Sequence, residues 1–83
     1  MQLRVRYFAG ASAAAGMEEE LVELPDAATV DALAGVLAER HGGRLAKVLA
    51  SSSFLVDEVP GGRERPLAGA RQVDVLPPFA GGF

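Results

Sequence analysis

The last residues of the printed sequence carry the pattern with the clearest chemical meaning. Residues 76–83 read LPPFAGGF, so a diglycine follows two prolines. Pro77 and Pro78 stiffen the exit from the preceding segment and favour an extended continuation. Gly81 and Gly82 have no β-carbon, so the backbone there is narrow and its carbonyl carbon is open to attack. Such a tail suits entry into a narrow channel and chemistry at an acyl group, although glycine-rich chain ends are also commonly frayed.

Other reactive side chains fit the known arrangements of catalytic sites poorly. The serines at 51–53 and His41 offer hydroxyls and an imidazole, but no G-x-S-x-G turn surrounds the serines, and we expect a polar loop. We expect His41 to satisfy carbonyls at a helix end or to pack at the rim of the core. The glutamates at 18–20 would alternate between the faces of a strand and not converge on one cation, so we expect a solvated edge.

The composition of the 83-residue chain excludes several classes of protein. It has no cysteine and one histidine, which rules out disulfides and thiolate or histidine-cluster metal sites, and we expect no bound metal or cofactor. A net charge of -3 argues against a nucleic-acid partner. Neither a signal peptide nor an apolar run of roughly 20 residues is apparent. We therefore expect one domain over residues 1–83, in the cytoplasm and away from membranes.

Four stretches have the alternation or the β-branched content of strands. Residues 2–8 alternate strictly, with Leu3, Val5 and Tyr7 on one face. Three further stretches suggest strands, and two segments suggest turns. The predicted strands are 2–8, 19–24, 54–59 and 71–76, and the predicted turns are 9–16 and 60–62.

The middle of the chain changes to a helical period. Apolar residues recur at helical spacing from Thr29, a predicted N-cap, to His41, and the glycine pair at 42–43 supplies a stop. Residues 45–49 predict one or two further helical turns, and residues 66–68 a short extra strand or turn. The order β-β-α-β-β predicts an α+β roll with one main helix packed on one face of the sheet.

Four segments of this chain together carry a family resemblance. They are VRYFA at 5–9, TVDAL at 29–33, Leu67 with Gly69, and VLPPFAGG at 75–82. On these residues the chain resembles the MoaD/ThiS family of ubiquitin-like sulfur carriers, and within it the small subunits of molybdopterin synthase. The resemblance spans the whole chain and implies a ubiquitin-like β-grasp fold, with a mixed sheet and residues 77–83 as a projecting tail.

The resemblance also implies a chemical role for the tail. In that family a ubiquitin-activating-type enzyme uses ATP to adenylate the terminal glycine, and a sulfur donor converts the adenylate to a thiocarboxylate. Gly82 would then carry sulfur, with Phe79, Ala80 and Gly81 as the tail. The chain would not be an enzyme on its own. It would donate sulfur to cyclic pyranopterin monophosphate inside the large subunit of molybdopterin synthase, during molybdenum cofactor biosynthesis.

The surface beside the tail is the predicted site of contact with these partners. First and last strands are neighbours in a β-grasp sheet, so Phe8 and Leu76 would meet on the outer face, with Leu55 or Val59 adjoining. Packing under a loop is the alternative, and the family's use of a similar patch favours an interface. The predicted interface residues are Phe8, Leu76, Val59, Pro77 and Pro78.

Phe83 departs from the family pattern, because these carriers end at the second glycine. A ring at that position would enter a channel shaped for glycine, so we expect Phe83 to be removed or this form to be a precursor. Other functions of the chain stay open. A carrier for thiamine or cysteine biosynthesis would use the same tail, and Pro77-Pro78 favours molybdopterin. A ubiquitin-like modifier would join Gly82 to lysines, and a plain interaction domain would have an inert tail.

Overall fold

The computed structural model describes residues 1–78, which form a five-stranded sheet and three helices. Residues 79–83, including the predicted sulfur-carrying Gly82, lie outside the described part, so the prediction of a projecting tail remains a prediction. The strands are β1 Gln2–Tyr7, β2 Glu19–Glu23, β3 Ser53–Val56, β4 Val59–Gly61 and β5 Gln72–Leu76. The helices are α1 Gly10–Ala15, α2 Val30–His41 and α3 Gly43–Ala50.

The sheet is mixed, with the strand order β2-β1-β5-β3-β4. The first and last strands, β1 and β5, are neighbours, as predicted, and they run parallel, with Val5 opposite Val73. The other three pairs of strands are antiparallel. The carboxyl ends of β1 and β5 therefore meet at the same edge of the sheet, and this brings the end of β1 beside the root of the carboxyl-terminal segment.

One core joins the sheet to the helices. The inward side chains of β1, Leu3, Val5 and Tyr7, are buried, as the alternation predicted. Helix α2 buries Leu33 and Leu37 in the same core. The core also takes side chains from α1, α3 and the loop before β5, including Ala11, Leu45, Leu49 and Leu67. The predicted α+β roll, with its main helix packed on one face of a mixed sheet, is confirmed.

The ends of α2 follow the sequence signals. The Oγ1 of Thr29 accepts a hydrogen bond of 3.2 Å from the amide of Ala32, so Thr29 is the N-cap. Gly42 ends the helix with a φ of 94°, a conformation that favours glycine. The helical turns expected at 45–49 extend into a full α3.

Two predicted turns were wrong. Residues 9–16 contain α1, a short helix rich in alanine that Gly16 ends with a φ of 76°. The hairpin after β3 turns at Asp57 and Glu58, both with positive φ, and not at residues 60–62. Pro60 and Gly61 instead belong to the edge strand β4.

Candidate functional site

An exposed apolar surface lies where β1 and β5 end. Phe8, which follows β1, is 38% exposed, and its amide donates to the carbonyl of Val75 at 3.2 Å. This bond continues the β1–β5 ladder one step past the pair Tyr7 and Val75, so Phe8 lies beside Leu76. Leu76 is half-buried and points to the same outer face, because residues directly opposite in a ladder share a face. The structure therefore brings together the two residues whose proximity the sequence predicted.

The outer face of β3 extends this surface away from β1. Leu55 of β3 pairs with Asp74 on one side and with Pro60 on the other. Leu55 is half-buried and Pro60 is exposed. We call the surface formed by Phe8, Leu55, Pro60 and Leu76 the outer apolar patch.

Val59 does not join the outer apolar patch. It pairs with Val56, whose side chain is fully buried on the helix side of the sheet, so the register puts Val59 on that side as well. The Val56–Val59 pair also lies beside the β3–β4 turn, at the opposite end of β5 from Leu76. Val59 is 54% exposed, so it presents an apolar surface elsewhere on the domain. Of the two residues that the sequence left open, the one adjoining Phe8 and Leu76 is Leu55.

A partly buried ion pair lies beside the patch on the outer face of the sheet. Arg6 donates to both carboxylate oxygens of Asp74, from Nε at 2.9 Å and from NH2 at 3.2 Å. Asp74 lies on the outer face yet is only 4% exposed, and Gln72 Nε2 also donates to its carboxylate, at 3.2 Å. The Arg6 guanidinium also lies 5.3 Å from the centre of the Phe8 ring, a cation–π distance. The hydrogen bond and charge of Asp74 raise the pKa of Arg6.

Pro77 and Pro78 follow β5 directly. Pro77 is half-buried and Pro78 is exposed, and neither belongs to a strand. They stand next to Leu76 in the chain and so lie beside the outer apolar patch. The predicted tail residues Phe79, Ala80, Gly81 and Gly82 lie outside the described residues.

Glu20 is a largely buried residue of intermediate exposure, and the expectation of a solvated edge was wrong for its side chain. Its side chain is 11% exposed and accepts from three groups: the Tyr7 hydroxyl at 2.5 Å, Arg40 at 2.8 Å and His41 Nε2 at 2.5 Å. Burial opposes the charge on Glu20, but the bonds from Tyr7, His41 and Arg40 prevail and lower the pKa of this carboxyl. Burial, followed by the bond to Glu20, raises the pKa of Tyr7. The spacing of residues 18–20 gave no sign that a helix would deliver two partners to Glu20.

His41 has a structural position in this cluster. Its ring packs edge-on against Tyr7, with centroids 6.0 Å apart, which agrees with the predicted packing at the rim of the core. Its Nε2 is engaged by Glu20, while the hydroxyls of Ser51 and Ser52 donate to the carbonyl of Val48. His41 and these serines therefore do not form a nucleophile and base.

Within residues 1–78, no group of three or more His, Asp or Glu side chains is placed to hold a metal ion. Over the same residues, no helix combines the length and the hydropathy required to cross a membrane. What the described site offers is an exposed apolar surface, a supporting ion pair and the root of the terminal segment.

The arrangement of strands and helices identifies the fold. The mixed sheet, with its parallel central pair and its helices on one face, is a ubiquitin-like β-grasp. The ThiS family model matches residues 5–82, nearly the whole sequence. The chain belongs to the ThiS family of ubiquitin-like sulfur carriers, whose small members are generally not catalytic by themselves.

Solved structures with the same fold cover almost the whole chain. Subunit 1 of a provisionally assigned molybdopterin converting factor from Pyrococcus furiosus is 26% identical, with a TM-score of 0.83, over 95% of this chain and 99% of that one. SAMP1 from Haloferax volcanii is 20% identical, with a TM-score of 0.84, over 99% of this chain and 100% of that one. The Haloferax volcanii HVO 2177 protein is 24% identical, with a TM-score of 0.80, over 99% of this chain and 87% of that one. A search of curated proteins finds no match.

Proposed function

We propose that this chain is the sulfur carrier and small subunit of a molybdopterin synthase, acting in the cytoplasm. The observation that supports this most is the family match, which runs through Gly82 and stops before Phe83. The similarity to subunit 1 of a molybdopterin converting factor favours this pathway over the alternatives. The outer apolar patch beside the root of the tail is where a carrier needs contact with its partners.

The proposed chemistry takes place at Gly82 after loss of Phe83. A carboxylate oxygen of Gly82 attacks the α-phosphorus of ATP on a ubiquitin-activating-type enzyme, and pyrophosphate leaves. A sulfide-level sulfur from a donor then attacks the acyl carbon and displaces AMP, which leaves a thiocarboxylate. The chain itself binds no cofactor in this scheme, since ATP belongs to the activating enzyme.

The second half-reaction belongs to the partner. The tail enters the active site of the large subunit, which transfers the sulfur to cyclic pyranopterin monophosphate. Glycines at 81 and 82 fit this role because they lack side chains that a narrow channel would have to accommodate. The chain supplies a reacting group, and the catalytic side chains are those of the large subunit.

Reconstitution with the large subunit tests the proposal. The thiocarboxylated form ending at Gly82, mixed with that subunit and cyclic pyranopterin monophosphate, is expected to yield the dithiolene of molybdopterin, with the carrier returned as a carboxylate. The form with an ordinary carboxylate at Gly82 is the control and should yield none. Sulfur transfer to a thiazole or cysteine precursor instead would assign the chain to thiamine or cysteine biosynthesis. Isopeptide adducts on lysines would assign it to protein modification.

A further inference from the structure

The strand β2 is an edge of the sheet with unused backbone groups. Among the strands of residues 1–78, β1 is its only neighbour. The bonds Tyr7 N–H to Glu18 C=O, 2.8 Å, and Leu24 N–H to Met1 C=O, 2.9 Å, fix which residues of β2 face β1. By the alternation of an antiparallel ladder, Glu20 and Val22 also turn their backbone groups toward β1. The amides and carbonyls of the other three residues, Glu19, Leu21 and Glu23, therefore point away from the sheet.

The opposite edge, β4, is blocked where β2 is open. The hydrogen bond from the Asp57 amide to the Gln72 carbonyl, 2.9 Å, fixes which alternate residues of β3 turn their backbone groups toward β5. Leu55 is one of these residues. Pro60, which lies opposite Leu55, therefore occupies the outward position of the short strand β4. Proline has no N–H, which prevents donation to an added strand at that position. Neither a proline nor a bulge protects β2 in this way.

The side chains of the open edge have a definite pattern. Leu21 is 54% exposed, on the outer face of the sheet. On either side of it, the carboxylates of Glu19 and Glu23 are 51% and 74% exposed. Arg4 and the amino terminus contact these carboxylates only from the β1 side. A strand laid along the open edge would meet an acidic, apolar, acidic series at alternate residues.

Charge complementarity decides which partner this edge fits. A second copy paired antiparallel through Leu21 would place Glu19 opposite Glu23, and like charges directly opposite are destabilising. We propose that β2 binds an extended segment of a partner protein in which an apolar residue stands between two basic residues at alternate positions. The segment adds to the sheet as a sixth strand by backbone hydrogen bonding. This proposal is independent of the sulfur chemistry and of the outer apolar patch.

The cluster around Glu20 gives the edge a fixed geometry. Tyr7 on β1 and Arg40 and His41 on α2 all bind the Glu20 carboxylate, which points inward from the middle of β2. Slippage of β2 by one residue would break all three bonds and bury a different side chain. A partner segment therefore meets a preformed edge.

Hydrogen exchange of the full chain tests this proposal. The probe is a capped peptide of the pattern Ser-Arg-Thr-Val-Thr-Arg-Ser. At saturating peptide, exchange of the Glu19, Leu21 and Glu23 amides is expected to slow about tenfold or more, whereas Glu20 and Val22, already bonded to β1, change little. The same peptide with glutamates in place of its arginines, or with N-methyl groups on the amides that face β2, should not bind.

Two variants separate the backbone from the charges. Leu21→Pro removes the central outward amide without breaking a bond to β1, and it should abolish protection at Glu19 and Glu23. Glu19→Lys with Glu23→Lys should weaken binding about fivefold or more, and Glu39→Lys, an exposed charge change on α2, should leave it unchanged. The proposal would be overturned if the peptide did not slow hydrogen exchange of the Glu19, Leu21 and Glu23 amides. It would also be overturned if the N-methylated peptide bound with the same affinity as the unmodified one. Concentration-dependent dimerisation through the same amides would overturn it in favour of a second copy.

Discussion

At the scale of single residues, Ala9 has a backbone that suits glycine better than alanine. Its φ of 50° and ψ of -126° lie outside the regions that residues with a β-carbon favour. Ala9 stands between Phe8 of the outer apolar patch and the start of α1, so it sets the direction of the chain as it leaves the sheet. Strained positions of this kind occur at functional surfaces, where neighbouring structure holds them in place.

Ala9→Gly is expected to stabilise the domain by about 1 kcal/mol, because glycine reaches this conformation without a steric cost. Urea denaturation with a common m-value measures the difference. The same replacement at the exposed Ala13, inside α1, is the matched control and should destabilise by about 0.5–1 kcal/mol. A loss of stability in Ala9→Gly would contradict the assigned strain.

Glu20→Gln should destabilise the domain by about 1–3 kcal/mol, because it removes the charge that Tyr7, Arg40 and His41 bind in a partly buried site. The exposed Glu18, two residues earlier in the chain, offers a matched control, and Glu18→Gln should change the free energy of unfolding by less than about 0.5 kcal/mol. Urea denaturation at neutral pH measures both. Equal effects of the two variants would mean that the cluster contributes nothing.

The Glu20 cluster also predicts the direction of a pH dependence. The pKa of Glu20 is lower in the folded chain than in the unfolded one, so its charged form contributes stability above the unfolded value. That contribution is lost as the pH falls through the folded pKa. The stability difference between the natural chain and Glu20→Gln should therefore narrow below about pH 4.3, near the ordinary pKa of Glu. If the stability difference between the two proteins instead widened as the pH fell below that value, the lowered pKa of Glu20 would be contradicted.

At the scale of elements, the sequence predicted what depends on local periodicity. The alternation of residues 2–8 and the helical spacing from Thr29 to His41 placed β1 and α2 correctly. The β3–β4 turn was missed because Asp57 and Glu58 adopt positive φ without glycine. The Asp57 carboxylate accepts from the amides of Arg71 and Gln72, contacts distant in sequence that help hold this turn. Such long-range partners are invisible to a local pattern.

Phe8→Ala should weaken binding of the large synthase subunit about tenfold or more, since an exposed aromatic side chain within an apolar patch is a typical hot spot. Leu76→Ala should act in the same direction. Leu21→Ala, a comparably exposed residue on the far edge of the sheet, is the control and should leave that affinity unchanged. Calorimetric titration of the purified subunits measures the three affinities. Similar losses for Leu21→Ala and Phe8→Ala would remove the patch from the interface.

At the scale of the whole molecule, residues 1–78 place an exposed apolar surface beside the root of the carboxyl-terminal segment. The parallel β1–β5 pair puts Phe8, Leu76 and the prolines after β5 at one edge of the sheet. The chemistry assigned to the terminal motif stays a prediction, because it depends only on residue types in order and residues 79–83 lie outside the described part. The Glu20 cluster and the open edge of β2 could not be predicted from sequence, because both arise from strand and helix placement.

The most direct measurement is the intact mass of the chain after activation. A form ending at Gly82, incubated with a ubiquitin-activating-type enzyme, ATP and a sulfur donor, should replace one oxygen with one sulfur, and fragmentation should locate the sulfur at Gly82. The form retaining Phe83 should stay unmodified until that residue is removed. If the form ending at Gly82 never gains sulfur, or gains it elsewhere in the chain, the assignment as a sulfur carrier is contradicted.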